Sequence, residues 1–390
     1  MTSITSLDKQ YVAGTYGRFP VELVSGSGSI ARDSSGKEYI DMGTGIGVTC
    51  MGYSDPEWVK AVTDQLSKLQ HTSNLYYTEP CAALAKVMCE RTGMAKVFFS
   101  NSGAEANECA IKVARKYSAE TKGADCYTIV TLRNSFHGRT LTTLAATGQD
   151  HFHQLFTPLT PGFVHVSAED MEELSRVVEE TKVAGIMLEC VQGEGGVIAL
   201  SPEYIKAVAQ LAKDKDIPLI IDEVQTGNGR TGALYAFMNY GIHPDIVSTA
   251  KGLGGGLPIG ATMMSAKVQN VLGPGDQGST YGGNPVSCSG ALNVLNRLDQ
   301  DFLEGVRQRS QYVFEALQGA KGIKSVTGMG LMIGIETEKA AKDVVNACME
   351  RGVLCLTAKT KVRLLPALNI PMELLAKAVD VIKAVCAEED

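Results

Sequence analysis

Apolar positions along this chain change period several times, and the changes mark out its elements. Between residues 96 and 249, short apolar runs alternate with stretches in which apolar residues recur every three or four positions. The runs predict strands at Lys96–Ser100, Tyr127–Leu132, Phe163–Val166, Gly185–Cys190, Pro218–Asp222 and Asp245–Thr249. The intervening stretches predict helices at Glu105–Ser118, Ala168–Thr181 and Pro202–Lys213. Apolar strands separated by helices imply a mostly parallel sheet covered on both faces.

The two ends of the chain have a different texture. Residues 1–20 show no strong periodicity and read as an arm. Val21–Val24 and Tyr39–Met42 read as short strands joined through Ser25-Gly-Ser-Gly and Asp33-Ser-Ser-Gly36-Lys, which is turn chemistry. Helices follow at Pro56–Leu69, with Asp55 as N-cap, and at about Glu79–Thr92. Beyond Asn284, helices at Pro285–Leu298 and Asp301–Gly319 precede strands at Ile323–Gly328, Leu331–Ile335 and Val362–Leu365. The expected class is α/β: a large domain over 51–284 with a mostly parallel central sheet flanked by helices, and a smaller α+β domain over 285–390. Residues 1–50 form the arm and part of the smaller unit.

Composition narrows the setting. A chain of 390 residues can bury a large core. Charged residues make up 20% and the net charge is −7, which argues against nucleic-acid or membrane-surface partners. No apolar run is long enough to span a bilayer, and Met1–Lys9 lacks the basic-then-apolar layout of a signal peptide. The ten cysteines include no Cys-x-x-Cys pair, so they read as reduced thiols of a cytoplasmic protein rather than a disulfide or zinc framework. His151-x-His153 lacks the further ligands a metal site needs and reads as a loop feature.

Candidate chemistry gathers where strands end. Lys251 follows the Asp245–Thr249 run and precedes Gly252, Gly254, Gly255 and Gly256, which let a ligand approach closely. Alone, it reads more readily as a solvated loop lysine. Asp222, however, closes the neighbouring apolar run, and open α/β sheets place ligands at such carboxyl ends. An amine and a carboxylate on adjacent strand ends suit pyridoxal phosphate: the amine condenses with its aldehyde and the carboxylate pairs with its pyridinium nitrogen. Ser100-Asn-Ser102-Gly103-Ala104-Glu105 joins a strand to a helix and offers free N–H groups to a phosphate, or simply caps the helix. Phe136 can stack on a flat ring or pack in the core, and Arg139 can hold a carboxylate. Glu189 and Glu194 sit among glycines at another strand end. Arg363 lies in an apolar strand, where its charge needs a carboxylate from protein or substrate.

Six motifs in this order, Ser102-Gly-Ala-Glu-Ala, Phe136-His-Gly-Arg139, Gln192-Gly-Glu-Gly-Gly, Asp222-Glu-Val-Gln225, Lys251-Gly-Leu-Gly-Gly-Gly and Thr280-Tyr-Gly-Gly-Asn-Pro, resemble the class III pyridoxal-phosphate-dependent aminotransferases of fold type I. Thr15-Tyr-Gly-Arg-Phe-Pro20 and Arg363-Leu-Leu-Pro366 resemble the acetylornithine branch. Cys190 departs from the proline usual after the glutamate.

The resemblance implies catalytic roles for Lys251 and Asp222. It implies a cofactor site of Ser102, Gly103 and Ala104 at the phosphate, Phe136 on the ring and Gln225 near the ring hydroxyl, with Thr280 contributed by the neighbouring subunit of a homodimer. For the substrate it implies Tyr16, Arg139 at the distal carboxylate, and Arg363 at the carboxylate beside the reacting carbon, covered by Glu194 when the donor has none. The implied reaction joins N-acetylornithine and 2-oxoglutarate to give N-acetylglutamate 5-semialdehyde and glutamate, in arginine biosynthesis. Alternatives are ornithine, succinylornithine or 4-aminobutyrate as donor, or a lyase, racemase or aminomutase on the same scaffold. A nucleotide-binding module built on the glycine run is the non-enzymatic alternative.

Overall fold

The alternation of strand and helix builds a seven-stranded sheet in a computed structural model that describes residues 3–388. Across the sheet the strands run Lys96–Ser100, Gly260–Met264, Ile246–Thr249, Leu219–Asp222, Val183–Leu188, Thr128–Leu132 and Phe163–Val166. All are mutually parallel except Gly260–Met264, which is antiparallel to both its neighbours. That strand has no counterpart in the sequence reading. Gly260-Ala-Thr-Met-Met contains one β-branched residue and follows a glycine run, so propensity is silent there and burial on both faces decides.

Helices pack on the sheet as their caps and stripes dictate. Gly103–Lys122 buries Ala106, Ala110, Ile111 and Ala114, and the Ser102 hydroxyl caps its start by accepting from the Glu105 N–H. Pro202–Asp214 is capped by Ser201 and buries Tyr204, Ile205 and Val208. Pro56–Leu66 starts at Asp55, which accepts from the Trp58 N–H, and stops a turn earlier than Leu69.

The remaining strands lie outside this sheet. Leu23–Ser27, Ile30–Asp33 and Glu38–Asp41 form an antiparallel meander, three strands where two runs were legible. The meander is completed by Val353–Leu354, parallel to Glu38–Asp41, so the first fifty residues pair with the C-terminal part of the chain. A second four-stranded sheet holds Ile323–Met329, Met332–Thr337, Lys361–Leu364 and Leu356–Ala358. Near the start, Ile4–Tyr11 is a helix rather than an irregular arm. Its apolar side chains Ile4, Leu7 and Tyr11 are exposed, so no core periodicity disciplines the sequence there.

Candidate active site

The parallel strands deliver the candidate residues to one end of the large sheet. Ser102 and Gly103 follow Lys96–Ser100, and Phe136 and His137 follow Thr128–Leu132. Glu189 follows Val183–Leu188, Asp222 ends Leu219–Asp222, and Lys251 follows Ile246–Thr249. Together with Tyr16, Ala104, Arg139 and Gln225 they line one cavity of about 650 Å³ at the carboxyl ends of the strands, the place a doubly wound sheet reserves for ligands.

Asp222 is held at the floor of this cavity by three donors. His137 Nδ1 lies 2.7 Å and Asn107 Nδ2 2.8 Å from Oδ2, while the Val224 N–H donates to Oδ1 at 2.9 Å. Asn107 also donates to the His137 carbonyl at 2.8 Å, tying the helix Gly103–Lys122 to the loop after Leu132. Both partners are buried, and the far ring nitrogen of His137 and the Asn107 carbonyl oxygen have no partner of their own among the described residues. The carboxylate is thus fixed in orientation by groups without freedom to follow another partner.

Lys251 stands on a residue with φ of +45°, a left-handed conformation that a long side chain rarely adopts and that costs roughly 1–3 kcal/mol. Burial lowers its pKa to about 8; the Glu194 carboxylate works against this and the Arg363 guanidinium with it. The amine therefore loses its proton well below the range of an ordinary lysine. Glu189 moves the opposite way. Burial, then the Asp222 carboxylate, holds it well above the usual carboxylate range, although the Phe136 N–H donates to it at 3.0 Å.

Glu194 projects from the tip of a small hairpin in which Val191–Gln192 pairs with Ile198–Ala199. It accepts from Arg363 Nη1 at 2.5 Å, and Gln225 bridges the pair, donating to Glu194 at 3.4 Å and accepting from Arg363 at 3.3 Å. The Arg363 side chain is buried and its Nε–H has no acceptor among the described residues. Burial works to raise Glu194, but the Arg363 charge and hydrogen bond outweigh it and hold the carboxyl below its ordinary value. Cys190, at the base of this loop, is fully buried, and its carbonyl accepts from the Leu200 N–H at 3.0 Å.

Other expected residues fall in less obvious places. The guanidinium of Arg139 lies 4.2 Å from the Phe152 ring centre and 5.5 Å from that of Phe136, and no carboxylate among the described residues pairs with it. Thr280 is exposed and lies outside the cavity of its own chain, in a loop held by Asn74, which donates to the Ser279 and Gly282 carbonyls at 2.9 Å each. His153 donates through Nε2 toward the Leu144 and Thr147 carbonyls, and His151 packs on Phe152. No group of three or more possible metal ligands occurs among the described residues.

Sequence reasoning assigned no role to Asn107 or His137. Asn107 left one signal: it is the polar residue among Ala106, Ala110, Ile111 and Ala114 on the buried face of its helix. A buried amide needs partners, and its partner is Asp222.

Comparison with known proteins agrees with this geometry. The family described as aminotransferase class-III matches residues 11–386. An acetylornithine aminotransferase from Haemophilus ducreyi is 51% identical, covering 100% of both chains, and one from Methanocaldococcus jannaschii is 46% identical, covering 94% of each. Among solved structures, the ornithine aminotransferase of Toxoplasma gondii, described with partial occupancy of PLP at its active site, superposes with a TM-score of 0.94 at 32% identity, covering 99% of this chain and 95% of that one. The N-acetylornithine aminotransferase of Stenotrophomonas maltophilia gives 0.85 at 33% identity, with 98% of each chain covered.

Proposed function

The chain belongs to the class-III aminotransferases, enzymes that work with pyridoxal phosphate, and from this premise we propose that it moves the terminal amino group of N-acetylornithine to 2-oxoglutarate. The products are N-acetylglutamate 5-semialdehyde and glutamate, a step of arginine biosynthesis. The observation that carries this reading is the Glu194–Arg363 pair beside Lys251. A carbon bearing a carboxylate, as in glutamate, can take Arg363 for itself. A plain methylene, as in the terminal carbon of N-acetylornithine, cannot, and Glu194 then keeps the buried guanidinium compensated. One enzyme that must accept both substrates in turn needs such a replaceable partner.

The residues present fit the cofactor. Gly103 and Ala104 begin a twenty-residue helix with N–H groups that have no intrahelical acceptor, and a Cβ at Gly103 would stand 2.6 Å from Val224 Cγ1. That turn is therefore kept open and tight by glycine, with Ser102 beside it, as a phosphate cradle requires. Asp222, immobilised by His137 and Asn107, would pair with the pyridine nitrogen, Phe136 would stack on the ring, and Gln225 would serve its hydroxyl side. When bound, pyridoxal phosphate supplies an aldehyde that receives the amino group and a ring that accepts electrons from the carbon being deprotonated. Lys251 would supply the anchoring amine, and its Nζ, with a pKa lowered to about 8, would take up and return the proton of the substrate's reacting carbon. Arg139 and Tyr16 receive the carboxylate end of the donor.

We infer further that two copies associate and that Thr280 serves the partner's cavity. Leu75, Tyr76, Tyr77 and Tyr281 are exposed, Tyr281 next to Thr280 and the others next to Asn74, which holds the Thr280 loop, and large exposed apolar groups of this kind favour an interface. No helix among the described residues is long and apolar enough to cross a membrane.

The deciding experiment is a donor panel against 2-oxoglutarate. N-acetylornithine is expected to exceed ornithine and 4-aminobutyrate by at least about tenfold in second-order rate constant, a discrimination within reach of a few contacts. Equal or faster turnover of either competitor would reassign the substrate within the family.

A further inference from the structure

Arg139 lines two cavities at once. One is the Lys251 cavity; the other, of about 250 Å³, is lined by Arg139 together with Leu141, Leu144, Phe152, Leu155 and Phe156. Phe136 and Phe152 meet edge to face at 5.9 Å, so one aromatic wall runs continuously past the arginine from the first space into the second. The second cavity has His151 and Gln154 at its polar positions and, among the described residues, no lysine or arginine apart from Arg139.

We propose that this second cavity is a subsite for the N-acyl group of the donor, and that the enzyme also takes N-acylornithines whose acyl chain is longer than acetyl, neutral and apolar. The inference rests on the reading that Arg139 receives the donor's carboxylate. In such a donor the acylated nitrogen and the carboxylate share one carbon, so a carboxylate on Arg139 places the acyl group next to the arginine. The apolar pocket adjoins that point. An acetyl group fills little of 250 Å³, and further methylenes would be removed from water against leucine and phenylalanine side chains. A second carboxylate at the end of the acyl chain meets no lysine or second arginine among the described lining residues, and Arg139 is already engaged. The pocket thus separates donors by acyl charge: butyryl is favoured and succinyl is not.

The test uses the holoenzyme with N-acetyl-, N-butyryl- and N-succinylornithine, each half-reaction followed by cofactor absorbance at pH 8. N-butyrylornithine is expected to equal or exceed N-acetylornithine in second-order rate constant, by up to about tenfold for two further methylenes in a pocket open to water on one side. N-succinylornithine is expected to fall at least about tenfold below the butyryl donor, the cost of an unpaired charge in an apolar site. The second measurement is the butyryl-to-acetyl ratio in Leu155→Asp. Leu155 is 89% exposed, so the substitution does not threaten the fold, and a ratio cancels any general loss of activity. The ratio should drop to one or below. A butyryl donor tenfold worse than acetyl, a succinyl donor matching butyryl, or an unchanged ratio in Leu155→Asp each overturns the subsite while leaving N-acetylornithine as substrate. Failure of every N-acylornithine, with ornithine active, overturns the underlying reading instead.

Discussion

At the scale of single residues, the site combines groups pushed away from their ordinary charge states with groups that hold them there. Lys251 is the first case. Buried, and facing Glu194, Arg363, Asp222 and Glu189, its amine titrates near pH 8 in the cofactor-free chain. Its folded value lies below that of an ordinary lysine, about 10.4, so the folded state disfavours the charged form, and this burden on stability lifts as pH rises from about 8 to 10.4. Reductive methylation by formaldehyde, read at Lys251 by mass spectrometry, should accordingly rise with a midpoint near pH 8. Labelling that follows the exposed lysines would show that the amine is not desolvated. Glu194 is the second case. Glu194→Ala leaves the Arg363 guanidinium uncompensated when the donor brings no carboxylate, a cost of ~3–5 kcal/mol for a fully buried pair. The Glu194 side chain is 31% exposed, and water lowers this to roughly 1–3 kcal/mol, tenfold to a hundredfold in rate constant. The loss should fall on N-acetylornithine, with glutamate spared. Equal losses for both would confine Glu194 to supporting its hairpin.

Elements matter here through the contacts between their ends. The start of the helix Gly103–Lys122 and the segment after Asp222 touch where Gly103 faces Val224, and a methyl at Gly103 would stand 2.6 and 2.9 Å from the two Val224 methyls. Overpacking of this kind costs about 1–3 kcal/mol. In Gly103→Ala the strain must move either the phosphate cradle or the Asp222 strand end, so cofactor affinity of the apo-chain should fall about tenfold or more. Adding Val224→Ala makes room and should restore most of it, a coupling that titration of the four forms would reveal. Purely additive losses would mean the two element ends are mechanically independent. This junction also shows what the sequence could and could not convey. Lys251, Asp222 and the Ser102 turn were legible because each breaks an apolar run at its end. Asn107 and His137 were not assigned, since their meaning is contact between elements thirty or more residues apart. The strand Gly260–Met264 escaped for a related reason: its burial comes from Lys96–Ser100 and Ile246–Thr249 on either side, while its own residues carry little preference.

The whole molecule poses the question of how many chains make one site. Thr280 lies outside its own chain's cavity, on a loop flanked by exposed Tyr281 and, through Asn74, by exposed Leu75, Tyr76 and Tyr77. A self-complementary two-fold interface there would carry each Thr280 loop toward the other chain. Thr280→Asp should then weaken cofactor binding by setting a carboxylate against the phosphate, and Lys251→Ala should abolish turnover by removing the amine. Mixing the two variants distinguishes the geometries. If Thr280 serves the partner, a mixed dimer contains one site with both defects and one with an intact Lys251 beside an intact Thr280. Random reassortment makes about half of the dimers mixed, and activity should return to about a quarter of the wild-type level from two poorly active parents. If Thr280 serves its own chain, each mixed dimer holds one defect in each site. Activity then stays at the parental average at every mixing ratio, and the exposed aromatic surface needs another explanation.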